Sequence, residues 1–308
     1  MNAIDPSVMA DPVTGKWWMH YGSFFGGLYC VELDPETGLP AEEGDQGHLT
    51  ARRANYQKDN LEAPEIIYNP DLKQYYLFVS YDPLMTTYNV RVGRSDKAEG
   101  PFVDFSGVEL KDTTNNFPIL TAPYRFHNHP GWAGTAHCSV FTSDEGQYFM
   151  AHQGRLSPHN QMMDLHLRQV FFTPDGWPVV SPERYTGCVS RKFSAEDMAG
   201  EWEVIRIQEP AYERRLQAGQ ILWGEGQLKE EEWNVSHLLS LEKNGNLGEN
   251  KGTWELLEAK QLLSLTLEGE IINNLIIFAG HDWENEKETV LFTGLDSCGR
   301  SIWGKRIK

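Results

Sequence analysis

Cysteine is scarce and scattered. Cys30, Cys138, Cys188 and Cys298 stand far apart with no CxxC pair, so neither a zinc site nor a disulfide framework is indicated, and buried free thiols are expected. No apolar run approaches the about 20 residues of a membrane-spanning helix. Cations are also in short supply: Lys and Arg total 27 against 44 Asp and Glu, a formal net charge of −17. Nucleic acid requires clustered cations, so this balance speaks against such a partner and suits a neutral or cationic ligand. Helical periodicity is nearly absent. No charged n-region followed by an apolar h-region is visible as a signal peptide, and the compartment stays open.

Aromatic residues are plentiful instead, with 10 Trp, 12 Tyr and 14 Phe in 308 residues. Flat rings fill β-protein cores and also suit sugar faces. Three aromatic pairs recur in one context: Trp17-Trp18 in "GKWWMHYGS", Tyr75-Tyr76 in "KQYYLFVSY" and Tyr148-Phe149 in "GQYFMAHQG". A short turn precedes each ("DPVTG", "NPDLK", "SDEG"), and an apolar run precedes each turn ("SVMA", "EIIY", "SVFT"). Strand, tight turn, aromatic strand is a β-hairpin. A third strand follows each time: "GGLYCVEL", "NVRVGRS" and "LHLRQVFF". Repeated antiparallel units of this size predict β-propeller blades, with a long-looped sandwich as the alternative.

Chemically capable residues precede the first strand of each unit at nearly the same place: Asp5 before "SVM", Glu62 before "EII" and His137 before "SVF". Any one alone is ordinarily a turn or capping residue. In a propeller the first strand is innermost, so the three are expected to converge at one end of the axial channel. Glu65 is the rival carboxylate three positions on, and alternation makes it a supporting polar group on the strand itself. In "YGSFFGG", glycines permit a tight loop that offers Ser23 and Phe24 to a ligand.

At these residues the sequence resembles glycoside hydrolase family 43, specifically its arabinan-degrading members. "NAIDPSV", "YGSFFGGLYCVELDPETGLP", "LEAPEIIY", "YNVRVGRS" and "LHLRQVFFTPDGWPVVSPERY" carry the resemblance, over residues 2 to about 187. It implies a five-bladed propeller and inverting hydrolysis of α-1,5-linked L-arabinofuranose in arabinan or arabino-oligosaccharides, endo or exo. A β-xylosidase or arabinofuranosidase of the same family is the less favoured activity. Glu62 in "LEAP" corresponds to the general acid, and Asp5 in "NAIDP" to the helper that orients and tunes it. Asn2, Ser23, Phe24 and Arg168 would contact substrate, Arg168 through its several donors. His137 corresponds to a histidine that holds calcium largely through waters, although "GTAH" replaces the usual "GPGH". Members are often secreted.

The resemblance also implies a water-activating Asp in a motif near "HDPS", upstream of "NAIDP". No match to it stands here; "YNPD" (68–71) and "GHDW" (280–283) differ, and Asp282 falls in the second domain. Three blades are countable, so the expectation is a partial propeller of about three blades in residues 1–192, lacking the family's first two. Either the sequence is truncated ahead of residue 1, or a homo-oligomer or a second chain would complete it. Otherwise the chain is a non-catalytic or partner-dependent arabinan binder. From residue 193 to 308 the pattern changes to short alternating strands with Gly and Asn turns, "KNGN" (243–246) the clearest. An all-β chain ending in a small antiparallel barrel is predicted, similar to the accessory barrel of larger family members.

Overall fold

Each aromatic pair lies in the second strand of an antiparallel run of four strands. In the computed structural model, which describes residues 2–53, 60–112, 115–189, 191–209, 227–267 and 269–308, the first sheet is β1 (Ser7–Ala10), β2 (Trp17–Tyr21), β3 (Leu28–Leu33) and β4 (His48–Ala51), in that order. The second is β5 (Leu61–Asn69), β6 (Gln74–Tyr81), β7 (Asn89–Ser95) and β8 (Ile119–Thr121). The third holds β11 (Ser139–Thr142), β12 (Tyr148–Leu156), β13 (Asp164–Phe172) and β14 (Pro178–Val180), and is extended to seven strands by the short β9 (Tyr124–Arg125), β10 (Trp132–Ala133) and Asn234–Val235. These are the three expected blades, each with its fourth strand.

The first hairpin of every blade is closed by a polar side chain that bonds its own backbone. Asp11 Oδ1 accepts from Val13 N at 2.9 Å, Asn69 Oδ1 from Leu72 N at 3.1 Å, and Ser143 Oγ from Gln147 N at 3.3 Å. Three residue types therefore make the same turn, because each offers an oxygen within reach of a backbone amide two to four residues on.

The blades stack face to face, and their first strands lie side by side, β5 touching both β1 and β11. Between the first two blades Met9 and Trp18 pack on Leu61, Ile66, Tyr75 and Leu77. Between the second and third, Tyr76, Phe78 and Val92 share a core with Val140, Met150 and Val170. The outer face of the first blade leaves Val8 49% and Val13 64% exposed, and that of the third leaves Phe141 45% and Leu165 80% exposed.

The second domain begins after a single helical turn, α1 (Ala195–Met198). Its strands are β15 (Gly200–Arg206), β16 (Asn234–Val235), β17 (His237–Leu241), β18 (Asn246–Leu247), β19 (Gly252–Leu257), β20 (Leu262–Leu267), β21 (Glu270–Asp282), β22 (Lys287–Leu295) and β23 (Ser301–Arg306). β16 pairs in parallel with β9 of the third sheet. The other eight close into a barrel, β23 pairing back onto β15, which removes the free sheet edges. The "KNGN" turn joins β17 to β18, with Gly245 at φ +84°. The strand-like pattern of 219–228 falls outside the described residues except at 227 and 228.

The barrel is welded to the blades. Trp303 of β23 is fully buried in the core shared by the second and third blades, its ring 5.3 Å from that of Tyr124. Ser301 Oγ donates to Ile119 O at 2.6 Å, and Thr293 Oγ1 to Val180 O at 2.8 Å. Lys305 sits among the carboxylates of Glu183 and Asp282, each at 3.0 Å, and Glu284. Burial opposes its charge, and the three carboxylates outweigh that and raise its pKa. Cys30 and Cys138 are buried free thiols as expected, whereas Cys188 is half-buried and Cys298 exposed.

Candidate active site

Each blade has a residue with left-handed backbone geometry just before its first strand or within that strand's opening residues: Asp5 (φ 54°), Ala63 (φ 50°) and His137 (φ 54°). A non-glycine residue there costs about 1–2 kcal/mol, so its recurrence in three sheets marks a shared architectural device. Asp5, Ala63 and His137 are thus the equivalent positions, each two residues before Ser7, Glu65 and Ser139 respectively. Glu62 lies one residue earlier than strict equivalence, and the pairing of β5 with β6 is irregular between Glu62 and Glu65. That bulge gives the middle blade a differently aimed carboxyl.

The structure brings Asp5 and Glu62 together through the backbone. Asp5 Oδ2 accepts from the amide of Ala63, the residue after Glu62, at 3.3 Å. Both oxygens of Glu62 are held: Tyr88 Oη donates to Oε1 at 2.7 Å and Ser23 Oγ donates to Oε2 at 2.9 Å. Burial pushes the Tyr88 phenol well above its ordinary pKa, and the charges of Glu62 and Asp5 push it further. Tyr88 therefore stays a hydrogen-bond donor through the neutral range. Nothing in "TTYNVRV" marks it as functional from sequence alone.

Ser23 reaches Glu62 because the "GSFFGG" loop folds back on β5, with Phe24 N donating to Leu61 O at 2.9 Å. Gly22 is required there: at φ +128°, an added Cβ would lie 2.6 Å from Gly27 O. The loop inverts the expected roles of its two rings. Phe24 is buried at 9% exposure and Phe25 is 53% exposed, so the ring offered to solvent is Phe25.

A cavity of about 630 Å³ lies at the hub, lined by Asp5, Ala63, Glu65, His137, His152 and Asp164 among others. The exposed His137 faces it, while its backbone amide donates to Ser80 Oγ at 2.8 Å. Asp164 is a cavity carboxylate that the repeat pattern gave no reason to select. Glu65 lies on β5 as expected, with both oxygens engaged: Oε2 accepts from Ser7 Oγ at 2.8 Å, and Oε1 from Ser139 Oγ at 2.8 Å and Val140 N at 3.0 Å. Asn2 is half-buried, and its carbonyl accepts from Ile4 N at 3.1 Å.

Arg168 is not at the cavity. It is fully buried behind it, donating to His152 Nε2 (2.9 Å), Ser181 O (2.8 Å), Pro182 O (2.6 Å) and Tyr124 Oη (2.7 Å). The core at the blade–barrel junction draws its apolar stem and aromatic partners inward, so it buttresses the wall and contacts neither Asp5 nor solvent. Because Arg only donates, His152 Nε2 accepts, and Nδ1–H must donate to Gln153 O at 2.7 Å. Burial, reinforced by the Arg168 charge, pulls the His152 pKa down to about 3 and keeps it neutral.

Calcium prefers six to eight oxygen ligands. Among the described residues the one trio of acidic, His or Cys groups within coordinating reach of one another is Glu183, Asp282 and Glu284, and Lys305 already fills it. No comparable protein cage surrounds His137, so the residues present do not by themselves hold a hard cation there. Asp282, tied to Lys305 in the barrel, is far from the role of a water-activating base.

Comparison with known proteins agrees with this arrangement of blades and barrel. Residues 182–304 match a C-terminal lipocalin-like domain. An extracellular endo-α-(1→5)-L-arabinanase 2 of Bacillus subtilis is 27% identical over 99% of this chain, which covers 64% of that protein. An extracellular endo-α-(1→5)-L-arabinanase of Thermotoga petrophila is 30% identical over the whole chain, again over 64% of its own length. The crystal structure of endo-1,5-α-L-arabinanase from Thermotoga petrophila RKU-1 superposes with a TM-score of 0.81 at 27% identity, covering 100% of this chain and 68% of that one. Residues 1–178, which hold all three blades up to β13 and the Asp5–Glu62 pair, match the glycosyl hydrolases family 43 pattern, and the chain belongs to that family.

Proposed function

We propose that the chain serves in inverting hydrolysis of α-1,5-linked L-arabinofuranose in arabinan. Glu62 delivers a proton to the leaving glycosidic oxygen, and Asp5, seated against the next residue's amide, fixes its setting. The observation that supports this most is the double tether of Glu62 by Tyr88 and Ser23, one residue from the cavity-lining Ala63. A proton transfer placed this way is worth about 10²–10⁴ in rate. Inversion further requires an ionised carboxyl roughly 6.5–9.5 Å away to activate water.

That second carboxyl is proposed to come from a sheet that covers the open faces beside Val8 and Leu165. Buried blade faces in this molecule are apolar, and these two are apolar and uncovered. A further segment of the same protein, a second copy or another chain fits them. Light scattering at micromolar concentration tests the second copy, and a monomeric mass counts against it. Phe25, the exposed ring of the loop, is proposed to meet the sugar, whereas Ser23 is buried and its hydroxyl is spent on Glu62. Calcium at His137 would have to be held through waters, and no catalytic step is assigned to it. Secretion is proposed from the relatives named extracellular. Reducing-end release from linear arabinan tests the activity, and product length separates endo from exo action. Binding of arabinan without release would instead favour the partner-dependent reading.

A further inference from the structure

We infer that Glu65 is a positioning residue: its carboxylate clamps the three innermost strands together and thereby sets the relative placement of Asp5, Glu62 and His137. This rests on the reading of Asp5 and Glu62 as the reacting carboxyls.

The clamp is built from equivalent positions in three blades. Ser7 and Ser139 open their first strands and Glu65 lies within β5, and each follows the left-handed residue of its blade by two positions. Glu65 Oε2 takes the hydroxyl of Ser7, and Oε1 takes both the hydroxyl of Ser139 and the amide of Val140. Ser7 Oγ in turn accepts from Ile66 N at 3.2 Å. Two inner-edge amides, at Ile66 and Val140, that have no further strand to pair with at the axis are thereby satisfied by side chains. The first and third blades are tied to the second through one side chain that itself lines the hub cavity. A displacement of about 1 Å at such a site costs on the order of 10²-fold in rate.

The test compares Glu65→Ala with Glu65→Gln. An amide retains the oxygen that Ser139 and Val140 use, and its NH₂ can donate to Ser7 Oγ, so Gln keeps the clamp and removes only the charge. Turnover of arabinan is measured per folded molecule, well below the melting temperature of each variant. Glu65→Ala should lose about 10²-fold in kcat with KM changed less than about threefold, and Glu65→Gln should recover most of it. Equal loss in both variants, with activity restored on an aryl arabinofuranoside whose leaving group needs no proton, would make Glu65 the acid and overturn the inference. Unchanged kcat per folded molecule in Glu65→Ala would reduce it to a stability role and overturn it as well.

Amide hydrogen exchange supplies a readout that needs no turnover. In Glu65→Ala the Ala63 amide, bonded to Asp5, should lose protection while β15 and β23 of the barrel keep theirs, and Glu65→Gln should restore it. If wild type releases no sugar, the functional reading fails on its own, and exchange at Ala63 alone decides the clamp: protection unchanged in Glu65→Ala overturns it.

Discussion

The phenolic oxygen of Tyr88 lies 2.7 Å from Oε1 of Glu62 and donates to it. This bond crosses from β5 toward the start of β7 and fixes the carboxyl's rotation. A hydrogen bond to a charged group contributes about 1.5–3 kcal/mol. Tyr88→Phe should therefore lower kcat on arabinan by about 10- to 100-fold and leave the circular dichroism spectrum unchanged. Steady-state kinetics on the purified variant checks it.

The two rings of the "SFFGG" loop should separate cleanly. Phe25 is exposed, so Phe25→Ala should leave the melting temperature within about 1 °C of wild type and raise KM for arabinan. Phe24 is buried, and removing a buried Phe costs about 3–5 kcal/mol; Phe24→Ala should lower the melting temperature. Calorimetry and kinetics on the pair decide whether the roles have been assigned to the correct ring.

How much of this was legible in the sequence follows from what a period can carry. The hairpins at Trp17, Tyr75 and Tyr148 were legible because alternation and turn residues are local signals. Repeat position pointed to the hub, where Asp5 and His137 line the cavity together with Ala63, whereas Glu62 stands one residue off the equivalent position. The exchange of Phe24 for Phe25 was not legible, because adjacent identical residues in a loop carry no phase. Arg168 was misplaced because its partners, Tyr124 and Trp303, come from a connecting strand and from the other domain. Tyr88 and Asp164 went unselected for the same reason: only the pairing of distant strands brings them to the hub.

Trp303 joins the two domains thermodynamically. It is fully buried in the blade core although β23 belongs to the barrel. Trp303→Ala should destabilise by about 3–5 kcal/mol. Wild type should unfold in one calorimetric transition, and the variant should lower the stability of blades and barrel together. Separate transitions in wild type would contradict the shared core.

Stability should fall on the acid side through buried histidines. His20 is wholly buried with its pKa lowered to about 4, chiefly by burial, and His152 is lowered to about 3 by burial and Arg168. The unfolded chain protonates these rings below pH 6.5, and the folded chain does not until pH 4 or lower, so the unfolded state binds more protons across that interval. Their contribution is complete above pH 6.5 and is lost as pH drops toward 4, at about 1.4 kcal/mol per unit for each ring. Urea midpoints between pH 7 and pH 4.5 measure the slope, and His20→Gln, if it folds, should flatten it.

The most direct measurement of the central claim is reducing-end release from linear 1,5-arabinan by wild type and by Glu62→Gln, at matched concentration and with melting temperatures in hand. With the sheet that bears the second carboxyl in place, the account predicts release by wild type and a loss of about 10²–10⁴-fold in Glu62→Gln at unchanged stability. Equal release by the two proteins would contradict it.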